Sequence, residues 1–227
     1  MLWAGSNLIV PPFTGRGGNR LGGGGRRYSD GMSEMSKTAR DPALLLEKAL
    51  REWGGHSDLW VFGYASLIWR PDFEFAERRP ARIHGWHRAL KMWSRINRGT
   101  PECPGLVFGM LSGGSCRGMA FRIARHDGHE TLARLWQREM VTGVYDPKFL
   151  TCQTPHGPVN ALAFTLSRQS PHHTGVLSEA QYQRIFAEST GIYGTTLDYV
   201  QATVDELRRH NIRDRALERL LLRMATR

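Results

Sequence analysis

The spacing of apolar residues divides the chain after position 40 into short strands and amphipathic helices. Apolar or alternating runs predict strands at residues 59–62, 82–93, 106–111, 117–123, 149–153 and 159–166. Spacing near 3.6 residues predicts helices at 42–53, 127–142 and 213–224, with two more on either side of residues 191–194. Short strands separated by turns favour an α+β fold, in which helices flank a mixed, mainly antiparallel curved sheet or β-barrel.

Cap and turn residues mark several boundaries of these elements. Asp41 and Pro42 are suited to the N-cap and first position of the opening helix. Gly85 predicts a bend within residues 82–93, and the Ser-Gly-Gly-Ser sequence at 112–115 predicts a turn between two strands. Residues 71–81 are charged and irregular, so we expect them to connect elements.

Residues 1–40 differ in composition from the rest of the chain. They contain four consecutive glycines at 22–25, and their six basic and two acidic residues hold four of the ten excess positive charges. So many glycines disfavour both helices and strands, so we expect a disordered basic tail, or translation that begins at Met32 or Met35. Residues 41–227 are then expected to form one domain. Because the remaining charge is spread thinly, nucleic acid is not the expected partner.

Hydropathy and cysteine content indicate the cellular environment in which we expect the protein. No apolar run approaches the roughly 18–20 residues that span a bilayer, so we expect no membrane partner. Cys103, Cys116 and Cys152 form no Cys-x-x-Cys pair and do not have zinc-site spacing. An odd, sparse set favours structural thiols in a reducing compartment, the cytoplasm, over a catalytic thiol.

Glu139 is a carboxylate on the apolar face of the helix predicted at 127–142. It follows Leu132 by seven residues, Leu135 by four and Trp136 by three, so at about 100° per residue it projects among them. The polar residues Glu130, Arg134, Gln137 and Arg138 fall on the other face. A carboxylate so placed has a raised pKa or pairs with a cation. Glu139 is therefore either a proton-transferring base or one partner of a structural ion pair.

The apolar run at residues 60–69 breaks midway into small residues, which indicates a buried strand that ends in a tight loop. Backbone N–H groups freed at such a turn can bind a carboxylate or oxyanion, with the Ser66 hydroxyl beside them. The candidate binding residues are Gly63, Tyr64, Ala65, Ser66, Leu67 and Ile68. An ordinary strand-to-loop transition has the same features, so this pattern alone leaves both interpretations open.

The sequence Val-Phe-Gly-Tyr-Ala-Ser-Leu-Ile-Trp at residues 61–69 resembles the substrate loop of the ChaC-like, glutathione-specific gamma-glutamylcyclotransferases. Further motifs follow in that family's order, at residues 98–105, 113–118, 138–139, 191–194 and 198–199. The resemblance extends from about residue 59 to the C-terminus. It leaves out the tail and the first helix.

The resemblance implies a fold, a reaction and roles for particular residues. The fold would be the gamma-glutamylcyclotransferase-like barrel, and the substrate would be glutathione. Its α-amine would attack the γ-glutamyl carbonyl, releasing 5-oxoproline and cysteinylglycine without a metal or organic cofactor. Glu139 would be the catalytic base and acid, and residues 63–68 would bind the substrate. The resemblance and the helical spacing thus indicate the same glutamate.

The sequence leaves the roles of several residues open. The family pattern has a second glycine where this chain has Ala65, which matters only if the backbone there has a positive φ. Arg98 would either bind a substrate carboxylate or stabilise a loop, and Tyr145 has no assigned role.

Alternatives to glutathione cleavage are cyclisation of other γ-glutamyl amines or dipeptides, a non-catalytic binding module, and an RNA-associated protein that uses its tail. Oligomeric state is not predicted.

Overall fold

The computed structural model describes residues 41–141 and 143–225, and five strands within them form a closed β-barrel. The strands are β1 Leu59–Gly63, β2 Glu77–Ser94, β3 Gly105–Ile123, β4 Asp146–Thr154 and β5 Gly157–Thr165. Their order around the barrel is β1-β3-β2-β4-β5, and parallel pairing of Val61 with Leu162 closes β5 onto β1. The longer pairings are all antiparallel, which confirms the predicted α+β fold.

The helices begin and end close to the predicted residues, except that α2 forms one turn where a loop was expected and α3 ends three residues early. They are α1 Pro42–Trp53, α2 Ser66–Trp69, α3 Gly128–Glu139, α4 Glu179–Glu188, α5 Thr196–Arg209 and α6 Arg215–Ala225, and β6 Thr190–Gly191 pairs with β7 Gly194–Thr195 in a small hairpin. The Asp41 side chain accepts a hydrogen bond from the Ala43 amide at 2.8 Å, which confirms the predicted N-cap of α1. Within the described ranges, none of the helices combines the length and apolar composition of a membrane-spanning helix.

The turn predicted at residues 112–115 is wrong, because β3 continues through these residues. Gly113 and Gly114 have φ values of 99° and 71°, and Gly85 on β2 has a φ of 81°. The pairing register of β2 with β3 shifts beside Gly85, at the same level of the sheet as residues 112–115. Glycine can adopt these left-handed conformations without steric cost, so both strands bend together where the sequence suggested a reversal.

The segment at residues 71–81 is also more regular than predicted. Strand β2 begins at Glu77 and pairs with β3 from that residue onward, with Glu77 opposite Arg122. The Arg122 guanidinium donates to Glu77 at 3.0 Å and to Asp58 at 2.7 Å. Charged residues can occupy this part of the strand because their side chains pair with each other at the barrel surface.

Helices α2 and α5 lie together beside β3. The Trp69 indole donates to the Thr203 hydroxyl at 3.4 Å, and the Tyr199 ring lies 5.3 Å from the ring of Phe108. Since α2 directly follows β1, this packing holds the end of β1 against α5. Residues 1–40, including the predicted tail, lie outside the described residues, so the division into tail and domain stays a prediction.

Candidate active site

The end of β1 is closely packed at two glycines, Gly63 and Gly118. A Cβ atom on Gly63 would lie 3.0 Å from the Phe121 ring and 3.1 Å from the Leu67 Cβ. A Cβ atom on Gly118 of β3 would lie only 2.3 Å from the carbonyl oxygen of Gly63. The chain therefore leaves β1 against β3 with no space for a side chain, and the loop that follows starts from a defined position.

Ala65 occupies the position at which the family pattern has glycine, and its backbone accepts alanine. Its φ is −144°, outside the left-handed region that favours glycine. Its side chain is buried with those of Tyr64, Leu67 and Ile68. The loop continues at once into the single turn of α2, where the Ile68 amide donates to the Ala65 carbonyl at 2.9 Å. The departure from the family pattern therefore introduces no left-handed backbone strain.

Glu139 is the last residue of α3, and its side chain is 14% exposed. Leu132, Leu135 and Trp136 are buried on the same helix, so Glu139 lies on the buried face that the periodicity predicted. Burial raises the pKa of Glu139, because a charged carboxylate loses hydration there. The neighbouring Arg138 opposes this shift but does not cancel it.

Arg138 connects Glu139 to the predicted substrate loop. Its Nε lies 3.0 Å from Glu139 Oε1, and its Nη2 donates to Ser66 Oγ at 3.2 Å. Its Nη1 donates to Asp72 Oδ2 at 2.7 Å. Helical spacing put Arg138 on the face opposite Glu139, but its long side chain bends round the end of α3 to pair with Glu139. Glu139 is thus in an ion pair, which the sequence had offered as the alternative to a catalytic role.

Three buried tyrosines from different elements lie within electrostatic range of the same carboxylate. Tyr64 follows β1, Tyr145 precedes β4 and Tyr199 lies on α5. Burial is the main cause that raises the pKa of all three phenols; the neighbouring phenols raise it further at Tyr64 and Tyr145, and the charge of Glu139 raises it at all three. The side chains of Tyr64 and Tyr145 lie close enough to influence each other's pKa. The hydroxyls therefore stay protonated near neutral pH and can donate hydrogen bonds beside Glu139.

Arg98 has partners that indicate a structural contribution. Its guanidinium donates to the carbonyl of Tyr193 and, at 3.5 Å, to that of Thr195, in the hairpin before α5. It also lies 5.2 Å from the centre of the Tyr199 ring. Burial lowers the pKa of Arg98. These contacts favour the loop-stabilising interpretation of Arg98.

Sequence reasoning missed Arg88, whose side chain is buried and donates to the carbonyl of Tyr64 in the predicted substrate loop. An arginine in an alternating strand predicts an exposed side chain, so no local signal marks it.

The three cysteines are free thiols, with Cys116 and Cys152 buried. In the described part of the chain, no three His, Cys, Asp or Glu side chains form a group that could hold a metal ion.

Comparison with known sequences indicates the family of the chain. Residues 59–227 match the sequence model of a family described as ChaC-like protein. The glutathione-specific gamma-glutamylcyclotransferase of Escherichia coli K12 is 32% identical over 165 residues, which cover 72% of this chain and 71% of that protein. The human glutathione-specific gamma-glutamylcyclotransferase 1 is 31% identical over 160 residues, covering 68% of this chain and 72% of the relative.

A solved structure has the same fold. The crystal structure of a yeast gamma-glutamylcyclotransferase specific to glutathione superposes with a TM-score of 0.68 at 20% sequence identity. The superposition covers 74% of this chain and 96% of the yeast chain. At this identity the likeness shows the fold alone, and it confirms the gamma-glutamylcyclotransferase-like barrel predicted from the sequence.

Proposed function

The chain belongs to the ChaC-like protein family, and from this membership we propose that it is a glutathione-specific gamma-glutamylcyclotransferase, as its bacterial and human relatives are named. The α-amine of the γ-glutamyl group attacks the side-chain carbonyl carbon of the same group. A carbon–nitrogen bond forms while the amide bond to cysteine breaks, so the products are 5-oxoproline and cysteinylglycine. One bond forms and one breaks within a single substrate molecule, so the reaction balances without a cofactor.

Glu139 is the proposed general base and general acid. The substrate amine must lose a proton before it can attack, and the leaving amine of cysteinylglycine must gain one. A carboxylate whose pKa is raised by burial is suited to both transfers near neutral pH. Glu139 therefore takes the proton from the nucleophile and returns it to the leaving group.

Residues 63–68 are the proposed binding site for the γ-glutamyl group. The amide N–H groups of Ser66 and Leu67 open α2, so no carbonyl of that helix precedes them as an acceptor. Such amides can bind the α-carboxylate, while the hydroxyls of Tyr64 and Tyr145 can donate to the carbonyl oxygen as charge develops on it. Held in this way, the amine and the carbonyl are oriented for ring closure, which can lower a barrier by roughly 7–11 kcal/mol.

The observation that carries the proposal is the Arg138 guanidinium. It contacts both Glu139 and Ser66, at 3.0 Å and 3.2 Å. The proposed base and the proposed substrate loop are far apart in the sequence, yet one side chain contacts both. The ion pair and the catalytic role are compatible, because the pKa of Glu139 stays raised with Arg138 in place.

The proposal is tested by incubating the purified protein with glutathione, γ-glutamyl-alanine and γ-glutamyl-lysine and measuring 5-oxoproline by chromatography. We expect product from glutathione. Product only from one of the other two compounds would reassign the substrate to other γ-glutamyl amines. No product from any of the three would refute an active cyclotransferase and favour a binding module.

Glu139→Gln tests the role of the carboxylate. Removing a positioned base typically lowers a rate by about 10²- to 10⁴-fold, so kcat should fall in that range while substrate binding persists. Glu130→Gln is the matched control, because Glu130 lies on the same helix but is exposed and pairs with Arg134. Turnover of Glu139→Gln at the level of this control would remove Glu139 from the mechanism.

We also propose a cytoplasmic location. The three cysteines are free thiols in this structure, which is the usual state of thiols in a reducing compartment. Microscopy of the full chain with a C-terminal fluorescent fusion would test this proposal.

A further inference from the structure

Arg88 carries a charge in the protein interior. It lies on β2, and its side chain is only 2% exposed. Its Nη2 lies 3.1 Å and its Nε 3.3 Å from Oδ2 of Asp214, the residue that precedes α6. Asp214 Oδ1 in turn accepts from the Leu217 amide at 3.2 Å. A buried cation needs such a partner, but the ion pair uses only part of the guanidinium.

The rest of the guanidinium binds two backbone carbonyls at the end of β1. Nη1 donates to the Tyr64 carbonyl, and Nη2 donates to the Arg117 carbonyl at 2.9 Å. Arg117 precedes Gly118, whose missing side chain lets β3 approach the carbonyl of Gly63. Arg88 therefore joins the substrate loop, β3 and the start of α6 through one planar group. Arginine has the several fixed donors that this requires, whereas lysine does not.

Fixing the Tyr64 carbonyl also fixes the amide of Ala65. The carbonyl of one residue and the N–H of the next belong to the same planar peptide unit, and in a trans peptide they point in opposite directions. No cis peptide bond occurs among the described residues. An Arg88 hydrogen bond on the carbonyl side therefore sets the direction of the Ala65 N–H on the opposite side.

We propose that Arg88 is a positioning residue, which holds the Tyr64–Ala65 peptide so that the loop amides face the γ-glutamyl group; this inference rests on the function proposed above. Arg88 acts through the loop and not on the reacting atoms. Its ion pair with Asp214 aligns the guanidinium, so α6 contributes to the site from outside it.

Arg88→Lys in the full chain tests this role by two measurements. We expect kcat to fall at least tenfold with a smaller change in KM, because the loop would bind the substrate in a less productive orientation. We also expect faster amide hydrogen exchange in residues 59–69, measured by mass spectrometry. Arg122→Gln is the control, since Arg122 pairs with Asp58 and Glu77 and lies opposite Trp60, nearer the start of β1, so it should leave kcat and the exchange of residues 63–69 unchanged.

The double variant Arg88→Met with Asp214→Asn covers the case in which Arg88→Lys does not fold. It leaves no unpaired buried charge, while the amide oxygen of the introduced asparagine can still accept from Leu217. A kcat within twofold of the unmodified protein, with unchanged exchange at 59–69, would overturn the proposal in either variant. Failure of both variants to fold would also overturn it, because Arg88 would then serve overall stability. If the unmodified protein shows no turnover, the proposed function fails, but the exchange measurement still tests Arg88.

Discussion

Replacing Gly118 by alanine should show how the position of the substrate loop affects activity, apart from the effect of the same change on the stability of the barrel. The added Cβ would lie 2.3 Å from the Gly63 carbonyl oxygen and 2.9 Å from the Phe62 ring. An ordinary carbon–oxygen contact is about 3.3–3.6 Å, so the end of β1 must move by about 1 Å. The obstacle is backbone, which cannot rotate away as a flexible side chain can. The displacement would therefore pass directly into the loop at residues 63–68.

The magnitude follows from that displacement. A shift of about 1 Å in a catalytic arrangement can lower the rate by about 100-fold, and overpacking typically destabilises a core by about 1–3 kcal/mol. We expect Gly118→Ala to lower kcat/KM for glutathione by about 100-fold and the free energy of unfolding in urea by about 1–3 kcal/mol. Activity is measured on the folded protein, with 5-oxoproline formation as the assay.

Gly109→Ala is the matched control. Gly109 lies on the same strand, and the three atoms nearest to its added Cβ all belong to the Leu166 side chain, the first at 2.7 Å. We expect a comparable loss of stability with kcat/KM within about threefold of the unmodified protein, because a side chain can adjust. Equal kcat/KM for Gly118→Ala and the unmodified protein would refute the argument that close backbone approach positions the loop.

Two further predictions concern Ala65 and Glu139. Ala65→Gly should leave kcat/KM within a few-fold and lower the free energy of unfolding by up to about 1 kcal/mol in urea denaturation, since the φ of −144° does not require glycine. A large gain in activity would show that the alanine methyl crowds the substrate. Because burial raises the pKa of Glu139 in the folded state, its stabilising contribution is present at low pH and lost as the pH rises through that folded pKa. The stability of Glu139→Gln relative to the unmodified protein should therefore increase from about pH 4 to about pH 8, and an opposite trend in urea denaturation would contradict a raised pKa.

Local pattern predicted most of the elements and one central site residue. Helical periodicity put Glu139 among Leu132, Leu135 and Trp136, and the structure has it on that buried face. The pattern was wrong at residues 112–115, where consecutive glycines suited a turn and a bend equally. Pairing with β2 decides between them, because the opposite strand bends at Gly85 and pairs with β3 on both sides of that bend.

The sequence by itself determined which residues form strands and helices, because their apolar spacing follows from the geometry of a single element. It also determined that a carboxylate on an apolar helical face needs a proton or a partner. Only the tertiary structure decided which partner. Closing the barrel brings Tyr64 and Tyr145 together near Tyr199 on α5. The long side chains of Arg88 and Arg138 donate hydrogen bonds to acceptors in distant segments. Those choices depend on contacts between elements, and no local periodicity records them.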